Sequence, residues 1–317
     1  MTLSADAIQR FANALDALVP ADEPLGLAVS GGPDSLAMLL LATAARPGRV
    51  EAATVDHGLR AEAAGEAAMV SDLCQRLGVP HQTLNGDWDT PPHANIQAEA
   101  RAMRYRLLGD WAVERGLRHI ATAHHADDQA ETLLMRLSRG AGLSGLAGVR
   151  TSRLLDNGCW LIRPLLDWRK TDLLAIVDAR GETAVDDPSN RDPAHDRTRV
   201  RMLLQSADWL APERVAASAA ALADSDEALT WSVEQLAPLR IAPSGPGVTL
   251  DAAGLPRELV RRLLLRVIRQ FGVKEPRGPD LDRAMSALST GKQATLSGLL
   301  FRPGPPWLIV PEPPRTR

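Results

Sequence analysis

Leu25–Ser35 reads LGLAVSGGPDS, and this stretch decides the fold. Leu25–Val29 is a short continuous apolar run, the pattern of a strand buried on both faces. Gly31 and Gly32 follow and can adopt backbone conformations closed to other residues. From Asp34 to Ala45 the sequence reads as a helix. A strand, a glycine turn and a helix in that order bring main-chain N–H groups and the positive end of a helix dipole to one point. Ser30 and Ser35 add hydroxyl donors there, so the unit suits a polyanion. The Walker A pattern is missing, and with it the lysine of the usual phosphate loop. Two glycines alone would equally describe a tight βα connection; the full SGGPDS is more specific.

The same alternation continues outward. Val50–Val55, His81–Leu84, Arg118–Ala123 and Trp160–Leu165 read as strands. Glu62–Leu77, Ala94–Arg115, Asp127–Arg139 and Arg169–Arg180 read as helices. Strands alternating with helices of these lengths predict an α/β domain, a doubly wound parallel sheet covered on both faces. Ligands then bind beyond the carboxyl ends of the strands. After Arg201 the character changes. Pro212–Leu236 is Ala-rich and helical, Ala242–Gly247 (APSGPG) reads as a breaker-rich linker, and Glu258–Gln270 as an amphipathic helix. Thr295–Phe301 and Trp307–Val310 suggest a small hairpin or edge strands. We expect a catalytic domain over 1–205 and a smaller, mainly helical domain over 206–317.

Composition narrows the classes. The chain has 317 residues, is 45% hydrophobic and 24% charged, and carries no apolar run near the ~20 residues that cross a bilayer. Its two cysteines, Cys74 and Cys159, form neither a disulfide framework nor a zinc spacing, and no secretory signal opens the chain, so a cytoplasmic location is expected. The net charge of −3 argues against a nucleic-acid partner, but Asp251–Arg317 holds twelve Lys or Arg against six Asp or Glu. Local charge decides whether a phosphate backbone is attracted. Gly140, Gly142 and Gly145 satisfy G-x-G-x-x-G but follow a helix rather than a strand, which excludes a dinucleotide fingerprint and points to a flexible loop at a helix end.

Three polar runs lie where strands end. Asp56-His57-Gly58-Leu59-Arg60 follows the second strand, at the same sheet edge as SGGPDS. Arg101 and Arg104 share one face of a helix and could reach one anion. The densest run is His124-His125-Ala126-Asp127-Asp128-Gln129-Ala130-Glu131-Thr132. On an ideal helix positions 124, 128 and 131 fall within about 60° of one another. Carboxylates there could hold Mg²⁺, bind an ammonium group or act as a base, and Asp127 could equally be an N-terminal cap.

SGGPDS, VDHGLR, ARAMRY, TAHHADDQAET, RLSRGAGLSGLAG, RPLL and DDPSN together resemble the tRNA(Ile)-lysidine synthetase family of N-type ATP pyrophosphatases in order and spacing. The resemblance is dense from Leu25 to Arg201 and loose beyond. One departure is Thr198: the family reads R-N-x-x-R, and here Arg197-Thr198-Arg199-Val200-Arg201 keeps only the outer arginines.

The resemblance implies an adenine nucleotide alpha hydrolase-like fold with a PP-loop, ATP as co-substrate and Mg²⁺. It implies as partners L-lysine and the tRNA(Ile) that bears a CAU anticodon, and it brings homodimerisation within range. The cytosine O2 attacks the α-phosphate of ATP, pyrophosphate leaves, and the lysine ε-amine then displaces AMP. On this reading Ser30, Gly31, Gly32, Pro33, Asp34 and Ser35 cradle ATP with His57 and Arg60, and Asp34 also sits beside Mg²⁺. His124 contacts the reacting nucleotide; Asp128 and Glu131 hold the lysine ammonium or the metal; Arg101, Ser138, Arg197 and Arg201 line the lysine or base site. The rival readings are a tRNA thiolase of the same superfamily and a non-catalytic ATP sensor.

Overall fold

The apolar run that follows residue 24 becomes the middle of a sheet. In this computed structural model, which describes residues 3–58, 62–88, 96–185 and 196–313, the chain divides into two compact units, Met1–Ala223 and Asp224–Arg317. The first carries, in chain order, α1 (Ala5–Asp16), β1 (Leu25–Ala28), α2 (Pro33–Ala45), β2 (Val50–Asp56), α3 (Ala63–Leu77), β3 (His81–Asn85), α4 (Ile96–Glu114), β4 (His119–Ala121), α5 (Ala126–Ser138), α6 (Leu143–Leu146), β5 (Ser152–Leu154), β6 (Trp160–Ile162), α7 (Lys170–Arg180) and α8 (Asp196–Ser206). Helix α9 (Pro212–Arg240) begins in this unit and ends in the second.

The sheet order is β3-β2-β1-β4-β6-β5. All neighbouring pairs are parallel except β5 with β6. The doubly wound sheet therefore ends in one antiparallel edge strand that periodicity did not reveal. Its cause is local: Asn157-Gly158, with Gly158 at φ 87, turns the chain back within a few residues. Successive strand residues point to opposite faces. Ala52, Ala121 and Ile162 pack into a core with Phe11 of α1, Leu39 of α2, Val70 of α3 and Leu173 of α7. Their neighbours Ala53, Ile120 and Leu161 pack into a second core with Leu108 and Trp111 of α4. Helix α2 is buried from Ser35 through Ala42, which explains why it is apolar all round. A Leu→Ala change in this layer would cost about 2–5 kcal/mol.

This topology positions the site. The chain leaves β1 toward β2 and β3 on one side and returns to β4 on the other. The switch point lies between β1 and β4, and a crevice opens there beyond the carboxyl ends. Ser30–Gly32 follows β1 and His124-His125 follows β4.

The segment after α5, expected as a flexible loop, is tied down instead. Arg136 Nη1 donates to the carbonyls of Gly145 (2.7 Å) and Gly148 (3.0 Å). The Gln129 amide pairs both ways with the Val149 backbone. Gly148 has φ 65, and a Cβ there would meet Gln129 Oε1 at 2.5 Å, so this close approach requires glycine.

The second unit adds β7 (Ile241–Ser244), β8 (Gly247–Leu250), α10 (Arg257–Gln270), α11 (Gly278–Ser289), β9 (Ala294–Leu296), β10 (Leu299–Arg302) and β11 (Trp307–Pro311). Its five-stranded sheet, β7-β8-β11-β10-β9, is antiparallel. Leu263, Leu264, Val267 and Ile268 of α10 and Leu281 and Met285 of α11 pack on Leu299, Phe301 and Ile309. The stretch read as a linker, Ala242–Gly247, is a hairpin: Pro243 is accepted because β7 is an edge strand, and Gly245 at φ 55 makes the turn. The unit is thus helices plus a sheet larger than the expected hairpin, and residues 206–223 belong to the first unit. Among the described residues no helix is long and apolar enough to cross a membrane.

Candidate active site

The phosphate loop is held by its own serines. The Ser30 N–H donates to Ser35 Oγ (3.1 Å), and Ser35 Oγ donates to the Gly32 carbonyl (2.9 Å). Gly31 adopts φ 85, where a side chain would be strained, and a Cβ would also press on Met69 and Val185 at 3.2–3.3 Å. Gly32 caps α2 without a side-chain hydrogen bond, and Pro33 opens the helix with its fixed φ. The first-turn N–H groups of α2 are therefore left for a ligand.

Asp34 stands in that first turn. One of its carboxylate oxygens is buried with no partner among the described residues. The other lies 3.5 Å from His125 Nε2. His125 is 3% exposed and sits among three carboxylates. Its Nε2 is 3.5 Å from Asp128, and its Nδ1 is 3.6 Å from Asp127. Burial alone would lower the pKa of this imidazole. Asp127, Asp34 and Asp128 override burial and push it up to about 10. Sequence reasoning selected His124 and passed over His125. The doubled histidine at a strand end was the only signal.

The histidine next in line behaves oppositely. His124 precedes α5, and its Nδ1 is 3.0 Å from Thr122 Oγ1. Burial, helped by Arg163, Arg101 and Arg197 and opposed by Asp128, pulls its pKa down to about 4. It is a neutral imidazole at neutral pH, beside a charged one.

Asp127 does not cap its own helix, as sequence suggested. Its Oδ2 accepts from the Lys170 N–H at the start of α7 (2.9 Å) and pairs with Arg169 (3.3 Å). Burial opposes ionisation, but His125, the Lys170 N–H and Arg169 hold this carboxyl well below the usual range. Asp128 Oδ2 accepts from the His125 N–H (3.2 Å), a capping box at the head of α5.

Glu131 is 2% exposed and one turn further on. Arg197 Nε donates to its Oε2 (2.6 Å) and Arg201 Nε to its Oε1 (2.8 Å). Arg197 Nη2 also reaches Asp128 Oδ1 (2.7 Å). The two arginines are four apart on α8 and share a face. Asp128 and Glu131, expected to meet an ammonium or metal, are thus already clamped by guanidinium groups. Burial raises the Asp128 pKa, but His125 and Arg197 outweigh it and lower it. Ser138 is not brought to this cluster. It is exposed at the end of α5, about 10 Å along the axis from Glu131 at 1.5 Å per residue, and its hydroxyl donates to the Met135 carbonyl.

The opposite wall is cationic. Arg104 donates to His57 Nε2 at 3.0–3.3 Å, and burial, the chief cause, lowers its pKa. The Arg101 guanidinium lies 5.0 Å from the Tyr105 ring centroid. Arg163 is 4% exposed, and its buried Nε has no hydrogen-bond partner among the described residues. Neither Arg101 nor Arg104 is paired with a carboxylate among the described residues. Arg60 and Asp186-Asp187-Pro188-Ser189-Asn190 lie outside the described residues.

These groups line two adjoining cavities. One is walled by Ser30, Asp34, Arg101, Arg104, Tyr105, His124 and Asp128. The other is walled by Pro33, Asp34, His57, His125, Lys170, Arg197 and Arg201. Ser30, Gly32, Asp34, Arg104, Asp128 and Arg197 belong to both, so they form one site. Among the described residues no cluster of His, Cys, Asp or Glu would cage a metal unaided. Asp34, which lines this cavity with Ser30 and Ser35 and has a carboxylate oxygen without a partner among the described residues, fits Mg²⁺ held jointly with phosphates, the usual mode for that ion. The arrangement offers an uncapped helix terminus, a cationic wall and a neutral imidazole around one void, which suits nucleotidyl transfer to a neutral nucleophile.

Comparison with known proteins agrees. The PP-loop domain family matches residues 3–207. The tRNA(Ile)-lysidine synthase of Novosphingobium aromaticivorans is 48% identical over 92% of this chain and 90% of its own. That of Zymomonas mobilis subsp. mobilis is 43% identical over 94% and 91%. Among solved structures, a U34-tRNA thiolase from Methanococcus maripaludis with a [4Fe-4S] cluster superposes with a TM-score of 0.58. It is 16% identical over 69% of this chain and 79% of that one, a likeness of fold alone.

Proposed function

The chain belongs to the tRNA(Ile)-lysidine synthase family, and we propose from that premise how its residues divide the work. The enzyme forms lysidine on tRNA(Ile). The wobble cytidine of the CAU anticodon is activated by ATP. Its O2 bonds to the α-phosphorus while pyrophosphate leaves. The lysine ε-amine then bonds to C2, AMP leaves, and the amine loses a proton. Adenylation turns a poor leaving group, a carbonyl oxygen, into a good one.

Ser30, Gly31, Gly32, Pro33 and Ser35, with the first-turn N–H groups of α2, bind the departing pyrophosphate. Mg²⁺, held by Asp34, would neutralise charge on the phosphates. Arg101, Arg104 and His57, with Arg60, draw the triphosphate to the cationic wall. His124, neutral, donates or accepts a hydrogen bond at the reacting base without adding charge. His125 is a positioning residue: it fixes Asp34 on α2 against Asp128 on α5.

Lysine brings both charges. Its α-ammonium matches Asp128 or Glu131, its carboxylate matches Arg197 and Arg201, which exchange part of their present pairing for it, and its ε-amine has given its extra proton to solvent before it attacks. Ser138 is left with at most an indirect part. The second unit grips tRNA phosphates. A cytoplasmic location suits two free thiols, and a homodimer is the assembly to look for by sedimentation.

The observation that carries the reading is Asp34: a residue in the first turn of an uncapped helix, with a buried carboxylate oxygen that has no partner among the described residues, lining a cavity together with Arg101, Arg104 and His124. The test is ATP-dependent incorporation of labelled lysine into a CAU-anticodon tRNA(Ile), beside a transcript with U at the wobble position. Labelling of the first alone is expected; labelling of neither by active protein would sink the reading.

A further inference from the structure

Tyr105 lines the reaction cavity and also a second hollow on the same unit, lined by Trp88, Arg101, Arg106, Arg153 and Leu154 among others. Two guanidinium groups address the Tyr105 ring, Arg101 at 5.0 Å and Arg153 at 4.8 Å from the centroid. Neither has a carboxylate partner among the described residues, although Glu99 and Asp156 also line the hollow; Asp110 is taken by Arg106 at 3.9 Å. Leu154, 54% exposed, gives the rim an apolar edge. A guanidinium held near an aromatic ring without an ion pair keeps a planar face for another flat π-system. Planar cations, an indole and a phenol ring with carboxylate acceptors beside them form the set that takes a splayed RNA base, by stacking and by hydrogen bonds to its amino or imino edge. Net charge in the hollow is balanced, which favours a base over a bare phosphate.

We propose that this hollow is a subsite for the nucleotide next to the reacting cytidine in the same RNA loop, stacked on the Arg153–Tyr105–Arg101 platform. The inference rests on the reaction proposed above. Because Arg101 and Tyr105 stand in both walls, occupying the hollow would fix the register of the loop over the reaction cavity.

The test uses the full chain and an anticodon stem-loop RNA, intact or abasic at either neighbour of the wobble cytidine. Arg153 is exposed on β5 and outside the reaction cavity. Arg153→Ala should raise the KM for RNA about tenfold, equal to ~1.4 kcal/mol, with kcat and the KM for ATP unmoved. One of the two abasic RNAs should cost the wild type a similar factor and cost Arg153→Ala nothing more. Arg153→Lys, which keeps the charge and loses the plane, should behave as Ala. Wild-type KM in Arg153→Ala, full rescue by Lys, or additive losses with both abasic RNAs would each overturn the subsite. Absence of lysidine with wild-type protein and intact RNA would instead overturn the proposed reaction.

Discussion

His125 Nε2 faces a carboxylate oxygen of Asp34 across 3.5 Å, and this pair ties the two halves of the site together. Asp34 belongs to the helix after β1, and His125 to the turn after β4. The strands flank the topological switch point. A buried imidazolium there neutralises three carboxylates that would otherwise repel one another. The second carboxylate oxygen of Asp34 is left without a partner among the described residues.

Removing that cation should therefore destabilise the protein in a pH-dependent way. Breaking a buried charge cluster by deleting one partner costs about 3–5 kcal/mol, and His125→Ala should show a loss of that order in urea unfolding. The His125 pKa is raised from 6.5 to about 10. A raised pKa means the folded state holds the proton more tightly. The contribution is fully present below the unfolded pKa, about 6.5, and lost as pH rises through about 10. The gap between wild type and variant should shrink from neutral pH toward about pH 10; a gap constant with pH would mean that packing, not charge, is lost.

Glu131 and Asp128 invite a separation of lysine from ATP. Glu131→Gln weakens two guanidinium contacts, and Asp128→Asn weakens one. Charge-assisted hydrogen bonds contribute about 1.5–3 kcal/mol each, so the KM for lysine should rise roughly 10–100-fold. Adenylation, followed as pyrophosphate release in the absence of lysine, should change far less. If both variants kept the wild-type lysine KM and turnover, the ammonium assignment would be wrong.

Much of this site could be read before any coordinates. SGGPDS declared itself because strand, glycines and helix N-terminus are adjacent in sequence, and local chemistry dictates local geometry. The run from His124 to Glu131 was visible for the same reason. What stayed hidden depends on partners distant in sequence. That Asp127 caps α7 at Lys170 rather than its own helix, or that Arg197 and Arg201 converge on Glu131 from 66 to 70 residues away, is set by packing that periodicity does not encode. His125 was overlooked because helical-wheel reasoning aligned 124 with 128 and 131, whereas both histidines precede the helix. Pro243 and Gly245 suggested a linker because breaker residues carry no record of whether a strand lies at a sheet edge.

The cysteines distinguish ligation from sulfur transfer. Burial pushes the Cys74 thiol up to about 12 and raises Cys159 as well. Neither is a thiolate at neutral pH, and thiolate is the reactive and metal-binding form. Both are buried, one in the core with α2 and one in the core with α4. The double variant Cys74→Ala, Cys159→Ala should retain lysidine formation per folded molecule. Loss of turnover with unchanged circular dichroism would revive a cysteine-dependent thiolase.

The second unit gives the sharpest electrostatic prediction, because most of its arginines are already spent on internal pairs. On α10, Arg257 pairs with Asp282, Arg262 with Asp226 and Glu258, and Arg269 with Glu275. Arg266, Arg277, Lys292 and Arg302 have no such partner among the described residues. Only an unpaired cation releases a phosphate counterion without first breaking an ion pair. Charge removal at Arg266, Arg277, Lys292 or Arg302 should therefore weaken tRNA binding, and each effective contact should lower the slope of log K against log salt by about one. Removal at Arg257 or Arg269 should leave that slope nearly unchanged. Binding isotherms at several salt concentrations, with the KM for ATP as control, read both. Equal slopes in the two groups would place the tRNA contacts elsewhere on the chain.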